Sequence, residues 1–402
     1  MIAYGISQAG RSHVERGLPC QDSHCVLPAE EDGTWVAAIA DGVGSAPRAD
    51  VGAQIAARAA ASFCTACLPP DRDLTSTYSM VRTAMNYALK QVLCRAEIDG
   101  EPAASYDTTL TLAIYDGARV VYGHAGDGGL FALRSDGGVV EVTTPQHGPD
   151  GETVIPLSGG YTGWEIGTYP HDVAGLLLAT DGMRAALRPA LLALAGTQRT
   201  GAGRAAASTG GAAAGTAGRA TTGVSGSSLS DDPAIYAPLV RFFADPRGLA
   251  AGGEAIPATE GEPEVEGVAA ACMGPHADEP ASDRGRVTSH GLSPEALTDA
   301  EAFLAGDPET SVGPYYERIA QLIGAEGDAR AARELARMRA AGMGESLVRA
   351  VRDDRTVAVL ANPAATIDTS GRLYREPDWD TLATAWQDAL YPTLAGDAAT
   401  GR

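Results

Sequence analysis

The chain has 402 residues, 45% hydrophobic and only 5% aromatic, enough for two or three ordinary domains or one large domain with insertions. Its 51 acidic residues against 30 basic ones give a net charge of −21, which excludes a nucleic-acid partner by repulsion from phosphates and suits a hard divalent cation. The opening "MIAYGISQAGRSHVERG" lacks a basic start followed by an apolar run, and no stretch reaches the roughly 18 apolar residues of a membrane span, so the expectation is a cytoplasmic protein with no membrane partner.

In chain order, "AYGISQAG", "DSHCVLP" and "TWVAAIA" read as short strands bounded by turn residues. Helical spacing follows over Ala49 to Leu68 and over 78–98. The first of these helices holds Cys64 and Cys67, a lone C-x-x-C read as buried thiols; six cysteines in this length make no disulfide framework. "TTLTLAIYDG", "ARVVYGHAGD", "GLFALRSDG" and "VVEVTT" are closely spaced strands with Asp-Gly and Gly-Gly turns, the pattern of an antiparallel meander, and "AGLLLATDG" closes the series.

A low-complexity stretch occupies 196–230, and 191–292 is expected to be a flexible insertion with one short helix in "DDPAIYAPLVRFFADP". Helical patterns resume over 293–345, starting at "SPEALTDAEAFLAG", where Ser293 and Glu295 suit a helix start. "YYERIAQLIG" and "DARAARELARMRAAG" continue that pattern, and the strand "RTVAVLAN" returns at 355–362. The division is therefore a body of 1–190 plus 346–362, the insertion, the helical segment and a helical tail over 363–402, with its amphipathic stretch "DWDTLATAWQDALYPTLAG".

Acid-bearing turns recur at strand ends: "CQDSH" with Asp22, "ADGVGS" with Asp41, "GHAGDGG" with Asp127, "ATDGM" with Asp181, and "RDDRT" with Asp353 and Asp354. One Asp-Gly after a strand is ordinary turn chemistry, because Asp caps its own turn and Gly supplies positive φ. Several delivered to one place would be a hard-cation site. Mg²⁺ and Mn²⁺ take oxygen ligands and keep waters, and crowded carboxylates repel unless a cation neutralises them.

"GRSHVERGLPCQD", "AAIADGVGSAPRADVGAQIAA", "GHAGDGGLFAL", "LLLATDG" and "DDRTVAVL" stand in the order found in the protein phosphatase 2C family, and the chain resembles its bacterial branch over 1–186 plus 350–362. The resemblance implies an α/β (α+β) fold, a four-layer α-β-β-α sandwich of two mainly antiparallel sheets flanked by helices. It also implies a phosphoserine/phosphothreonine phosphatase using two ions of Mn²⁺ or Mg²⁺, with a third possible. Carried over by position, Asp41 would bridge the ions, the Gly42 carbonyl would bind one, and Asp181 and Asp353 would hold the other. Asp22 would hold a water of the cluster, and Asp127 would serve a looser third ion. The implied partners are a phosphoprotein substrate and its cognate Ser/Thr kinase.

The departures are specific. Where many members have a phosphate-binding arginine, this chain has Gly17, leaving Arg16, Arg11 and Arg48 as candidates. Val43 follows the Asp-Gly where the eukaryotic branch has a histidine, and the doublet "DD" replaces the usual Asp-Asn, which favours Asp353 over Asp354 as ligand. The step from Asp181 to Asp353 is far longer than the family norm. The missing arginine at 17 and the oversized insertion motivate a second reading, a degenerate phosphatase that binds a phosphoprotein or signalling partner without turnover; an acidic assembly protein is a third.

His13, His24, His124 and His147 lack zinc-motif spacing and read as turn or core residues, with His13 positioned to orient the first acidic turn. "GISQA" stops short of a nucleophile elbow, "GHAGDGG" lacks the dinucleotide spacing, and the Arg-bearing pattern at 329–340 reads as a solvated helix face.

Overall fold

Strands that are apolar along both faces must be covered on both faces, which dictates a layered fold. The computed structural model describes residues 1–29, 33–69, 73–188, 232, 234–249, 288–305 and 352–368. Among these the elements are β1 (Ile2–Gln8), α1 (Arg11–Arg16), β2 (Asp22–Pro28), β3 (Trp35–Asp41), α2 (Ala49–Cys67) and α3 (Leu74–Asp99). Then come β4 (Leu110–Tyr115), β5 (Val120–Ala125), β6 (Gly129–Arg134), β7 (Val139–Glu141), β8 (Glu165–Tyr169), β9 (Val173–Ala179) and α4 (Asp181–Leu187). The last are α5 (Ala237–Ala244), α6 (Pro246–Leu249), β10 (Thr288–His290), α7 (Pro294–Ala305) and β11 (Arg355–Ala361).

The strands form a six-stranded sheet in the order β10-β1-β11-β9-β6-β7 and a five-stranded sheet in the order β2-β3-β4-β5-β8. Every ladder is antiparallel. Side chains alternate between two cores along each strand. On β9, Leu176 and Leu178 enter the layer between the sheets, with Ile39 of β3 and Leu360 of β11. Leu177 and Ala179 face the opposite way, toward Met183 of α4, Phe243 of α5 and Phe303 of α7. The outer face of the five-stranded sheet is covered by α2 and α3, where a row of buried alanines (Ala53, Ala56, Ala57, Ala60) lets α2 lie close to the strands. The layers are thus α-β-β-α, as the sequence led us to expect.

Several local expectations change. The meander breaks after β5: β4 and β5 pair in one sheet, whereas β6 crosses to the other and pairs with β7 and β9. β8 then returns to pair with β5. A hairpin signal reports two adjacent strands and a turn, not which sheet the next strand joins. Helix α1 was not expected, because it is only six residues long and buries only His13. Its end explains Gly17. That residue closes α1 with φ 66°, the left-handed conformation in which a side chain is strained, and its neighbour Leu18 bonds back to the His13 carbonyl.

The expectation of a flexible loop across 191–292 does not hold for 234–249 or 288–292. Leu239, Val240, Phe242 and Phe243 are fully buried against the six-stranded sheet, the Tyr4 hydroxyl donates to the Phe243 carbonyl, and β10 pairs with β1. The short helix read in "DDPAIYAPLVRFFADP" is α5. The rest of the insertion, the helical patterns beyond 305 and the tail helix lie outside the described residues. Cys64 is buried but Cys67 is exposed, so only one of the pair is a core thiol.

Candidate functional site

Asp22 is the first residue of β2 and Asp41 the last of β3, and they face each other directly in the ladder. Asp181 follows β9 and Asp353 precedes β11, antiparallel neighbours in the other sheet, so both lie at the same end of that sheet. Asp127 lies in the crossing from β5 to β6. Five of the acidic positions thereby come to one end of the sandwich, where the charges of Asp22 and Asp181 both act on Asp41.

The turns are held by their neighbours. Asp41 donates its amide to Thr109 Oγ1 at 2.9 Å, and its carbonyl accepts from Thr108 Oγ1 at 2.9 Å. Thr180, ahead of Asp181, donates from Oγ1 to Asp22 Oδ2 at 2.7 Å and accepts from the Thr356 amide at 3.0 Å, which ties the two sheets together beside the acids. The glycines after Asp41 and Asp181 are required by space. A Cβ on Gly42 would stand 2.6–2.7 Å from Ala49, and one on Gly182 would stand 2.2 Å from the Asp354 carbonyl.

Electrostatics make the cluster costly when bare. Burial, then the charge of Asp354, raises the Asp22 carboxyl well above its usual range. Burial raises Asp41 likewise, with Asp22 and Asp181 adding. Asp181 is raised by burial and by Asp127, and Asp127 by burial. Asp353 keeps one face open to solvent, yet loss of water on the cluster side and the Asp181 charge push it up to about 6. Among the described residues Asp22 Oδ1 is buried with no hydrogen-bond partner. An all-oxygen donor set, mutual repulsion and an unpartnered buried oxygen fit a hard divalent cation. Among the described residues no three His, Cys, Asp or Glu side chains stand at metal-ligand spacing, so the acids gather without closing into a cage.

The doublet is resolved by its partners. Asp354 Oδ1 accepts from the Gly10 amide at 2.6 Å, and Oδ2 accepts from the Gln21 amide at 2.6 Å and pairs with His13 Nδ1 at 2.8 Å. Both its oxygens are committed to holding the N-terminal loop. Asp353 uses only Oδ1, on the Asp354 amide at 3.0 Å. His13 was expected on the first acidic turn, that of Asp22; it pairs instead with Asp354 in the last one. His24 Nδ1 meets Ser7 Oγ, and His124 Nδ1 meets Thr111 Oγ1, both at 2.8 Å. Burial pushes His124 down to about 4, so it is neutral at pH 7. His147 lies in an isolated bridge with Val154.

The three candidate phosphate ligands are engaged elsewhere. Arg11 pairs with Glu15 at 3.1 Å on the exposed side of α1, Arg16 donates to the Ser12 carbonyl at 2.9 Å, and Arg48 reaches Asp99 at 3.4 Å. Two arginines escaped the sequence reading. Arg355 is buried, its Nε lacks a partner among the described residues, and burial pushes it down to about 10 against the opposing charge of Asp354. Arg184, one turn into α4, pairs with Glu141. The only signal for either was its place directly after an acidic motif.

Among the described residues no helix is long and apolar enough to cross a membrane. No curated protein matches the chain. Among solved structures it is similar to the serine/threonine phosphatase PstP/Ppp of Mycobacterium tuberculosis, at 20% identity over 45% of this chain and 80% of that one, TM-score 0.34. It is similar to the serine/threonine phosphatase Stp1 of Staphylococcus aureus at 14% identity over 45% and 77%, TM-score 0.36. PppA of Pseudomonas aeruginosa is similar at 21% over 45% and 78%, TM-score 0.34. The family model for protein phosphatase 2C matches residues 9–209, half of the chain. On that match the protein belongs to the protein phosphatase 2C family.

Proposed function

We propose that this protein hydrolyses phosphoserine and phosphothreonine esters of proteins with the help of two divalent cations, Mn²⁺ or Mg²⁺. The observation that carries the reading is the convergence of Asp22, Asp41, Asp181 and Asp353, with their carboxyls pushed up and one buried oxygen left without a partner. Members of the family use divalent metal ions. In this reading Asp41 would bridge two of them and the Gly42 carbonyl would serve one. Asp181 and Asp353 would hold the other, with Asp127 available to a looser third. Such ions, when bound, supply charge neutralisation for phosphoryl oxygens and lower the pKa of a water.

The remaining work falls to the chain. Thr108 and Thr109 fix the Asp41 backbone, so that its carboxylate is held at the cluster rather than recruited to it. Thr180 occupies Asp22 Oδ2, leaving Oδ1 to orient a water or accept its proton. Asp354 fixes the loop that leads into Asp22 through the Gln21 amide. The partners under this reading are a phosphoprotein and the kinase that phosphorylates it, in the cytoplasm.

A degenerate, binding-only phosphatase keeps one observation in its favour: a left-handed glycine stands where the family's arginine belongs. Titration calorimetry with Mn²⁺ and hydrolysis of p-nitrophenyl phosphate with and without chelator separate the two. Mn²⁺ uptake with chelator-sensitive turnover supports the enzyme. Uptake or silence without turnover sinks it in favour of the binder.

A further inference from the structure

α4 places Asp181 and Arg184 three residues apart, which puts both on one helix face. The Arg184 fork is held by Glu141 of β7: Nε to Oε1 at 2.6 Å and Nη2 to Oε2 at 3.3 Å. Glu141 is itself buried and is held a second time by Arg188 at 2.5 Å, which also reaches Asp232 at 3.0 Å. Glu141 Oε1 lies 3.0 Å from where a Cβ of Gly129 would stand, so the ion pair abuts the turn that carries Asp127. The third nitrogen of the guanidinium, Nη1, makes no hydrogen bond or ion pair among the described residues, and the side chain remains partly exposed. The positive charge of Arg184 works against the raised carboxyls of Asp127 and Asp181, in keeping with its place one turn from Asp181.

We propose that Arg184 is the substrate-binding arginine of this protein, its free Nη1 donating to a phosphoryl oxygen at the acidic end of the sandwich while Glu141 holds the guanidinium plane. The inference rests on the phosphatase reading above. A preorganised guanidinium suits this work: it is always charged, planar and matched to phosphate oxygens, and less ordering is lost on binding when two of its nitrogens are already fixed. It also explains how a chain can dispense with an arginine at position 17, where the left-handed backbone would strain one.

The test uses the full chain and inorganic phosphate as probe, read by calorimetry in saturating Mn²⁺ and by inhibition of p-nitrophenyl phosphate hydrolysis. Arg184→Ala should weaken phosphate binding and raise KM by about 10- to 100-fold, with kcat within a few-fold and Mn²⁺ affinity unchanged or tighter. Arg184→Lys, which keeps the cation beside Glu141, should keep the wild-type melting temperature and bind phosphate with intermediate affinity. Phosphate binding and KM equal to wild type in both variants would overturn the proposal. So would a loss of Mn²⁺ affinity and melting temperature in step with phosphate affinity, since that marks a purely structural ion pair. Wild-type protein that binds phosphate through Arg184 but never turns over would keep this inference and sink the enzymatic reading alone. Wild-type protein that binds Mn²⁺ and turns over but shows no phosphate binding or inhibition would do the reverse.

Discussion

The two Asp-Gly turns that end β3 and β9 share a sequence pattern but are built differently. Asp41 and Gly42 are held by their own surroundings: Thr108 and Thr109 at the head of the adjacent strand, and the first turn of α2 packed against the bare Gly42 Cα. Asp181 and Gly182 are held by the far end of the chain. Thr180 bonds to Thr356 and to Asp22, and the space that a Gly182 Cβ would need is filled by the Asp354 carbonyl and the Asp353 side chain. One turn is a local product of its sheet; the other exists only once β11 has docked beside β9. The second should therefore be the easier to disturb from a distance.

The largest expected effect comes from the carboxylates themselves. Asp41→Asn and Asp181→Asn should each lower Mn²⁺-dependent hydrolysis of p-nitrophenyl phosphate by at least about 100-fold. The metal-free melting temperature should be unchanged or raised, because each change removes one of several mutually repelling charges. Unchanged turnover in both would defeat the assignment.

The glycines sharpen the contrast. Gly42→Ala and Gly182→Ala each force backbone apart at a distance where no real Cβ sits, at a cost of about 1–3 kcal/mol in urea unfolding. They should differ in metal affinity. Gly182→Ala displaces the 353–354 turn and should weaken Mn²⁺ binding by about tenfold, whereas Gly42→Ala shifts α2 and should weaken it less. Equal losses would mean the two turns are not independent.

The acidic doublet gives the next effect. Asp354→Asn sets an amide against one of the donors from Gly10, Gln21 and His13, and should cost about 1–3 kcal/mol of stability. Asp353→Asn should cost little stability and most of the Mn²⁺ affinity. The opposite partition would reverse their roles.

The smallest effect is in pH. Asp22, Asp41, Asp181 and Asp353 have folded-state pKa values raised above the ordinary aspartate value of 3.8, so between that value and the folded one the native state binds more protons than the unfolded. Their contribution to stability is complete below about 4 and is lost as pH rises through the folded value, about 6 for Asp353. The metal-free melting temperature should accordingly rise on going from about pH 8 to about pH 5.5. Saturating Mn²⁺ should flatten or invert that slope, because cation binding needs the ionised acids. Asp150, held down to about 2 by Thr153, acts in the opposite direction but only at pH values too low to interfere.

Much of this was legible beforehand, in residues whose evidence is local. Short apolar runs bounded by turn residues located β3, β4, β5 and β9, helical spacing located α2, and Asp-Gly after an apolar run marked Asp41 and Asp181. The crossing from β5 to β6 was misread because a turn does not encode which sheet receives the next strand. The burial of α5 was missed because Leu239, Phe242 and Phe243 sit inside a compositionally poor stretch, and their partners on β1 and β9 are far away in the chain.

By itself, then, the sequence determined which residues would form the layers and which strand ends would carry acid, since hydrophobic periodicity and turn chemistry are written over a few adjacent positions. Only the tertiary structure decided that Asp354 is tied up while Asp353 is open, and that Arg184 is held by Glu141. Those outcomes depend on hydrogen-bond and ion-pair partners brought together from distant segments. Such partners leave no period in the chain and exist only after strands distant in sequence have paired.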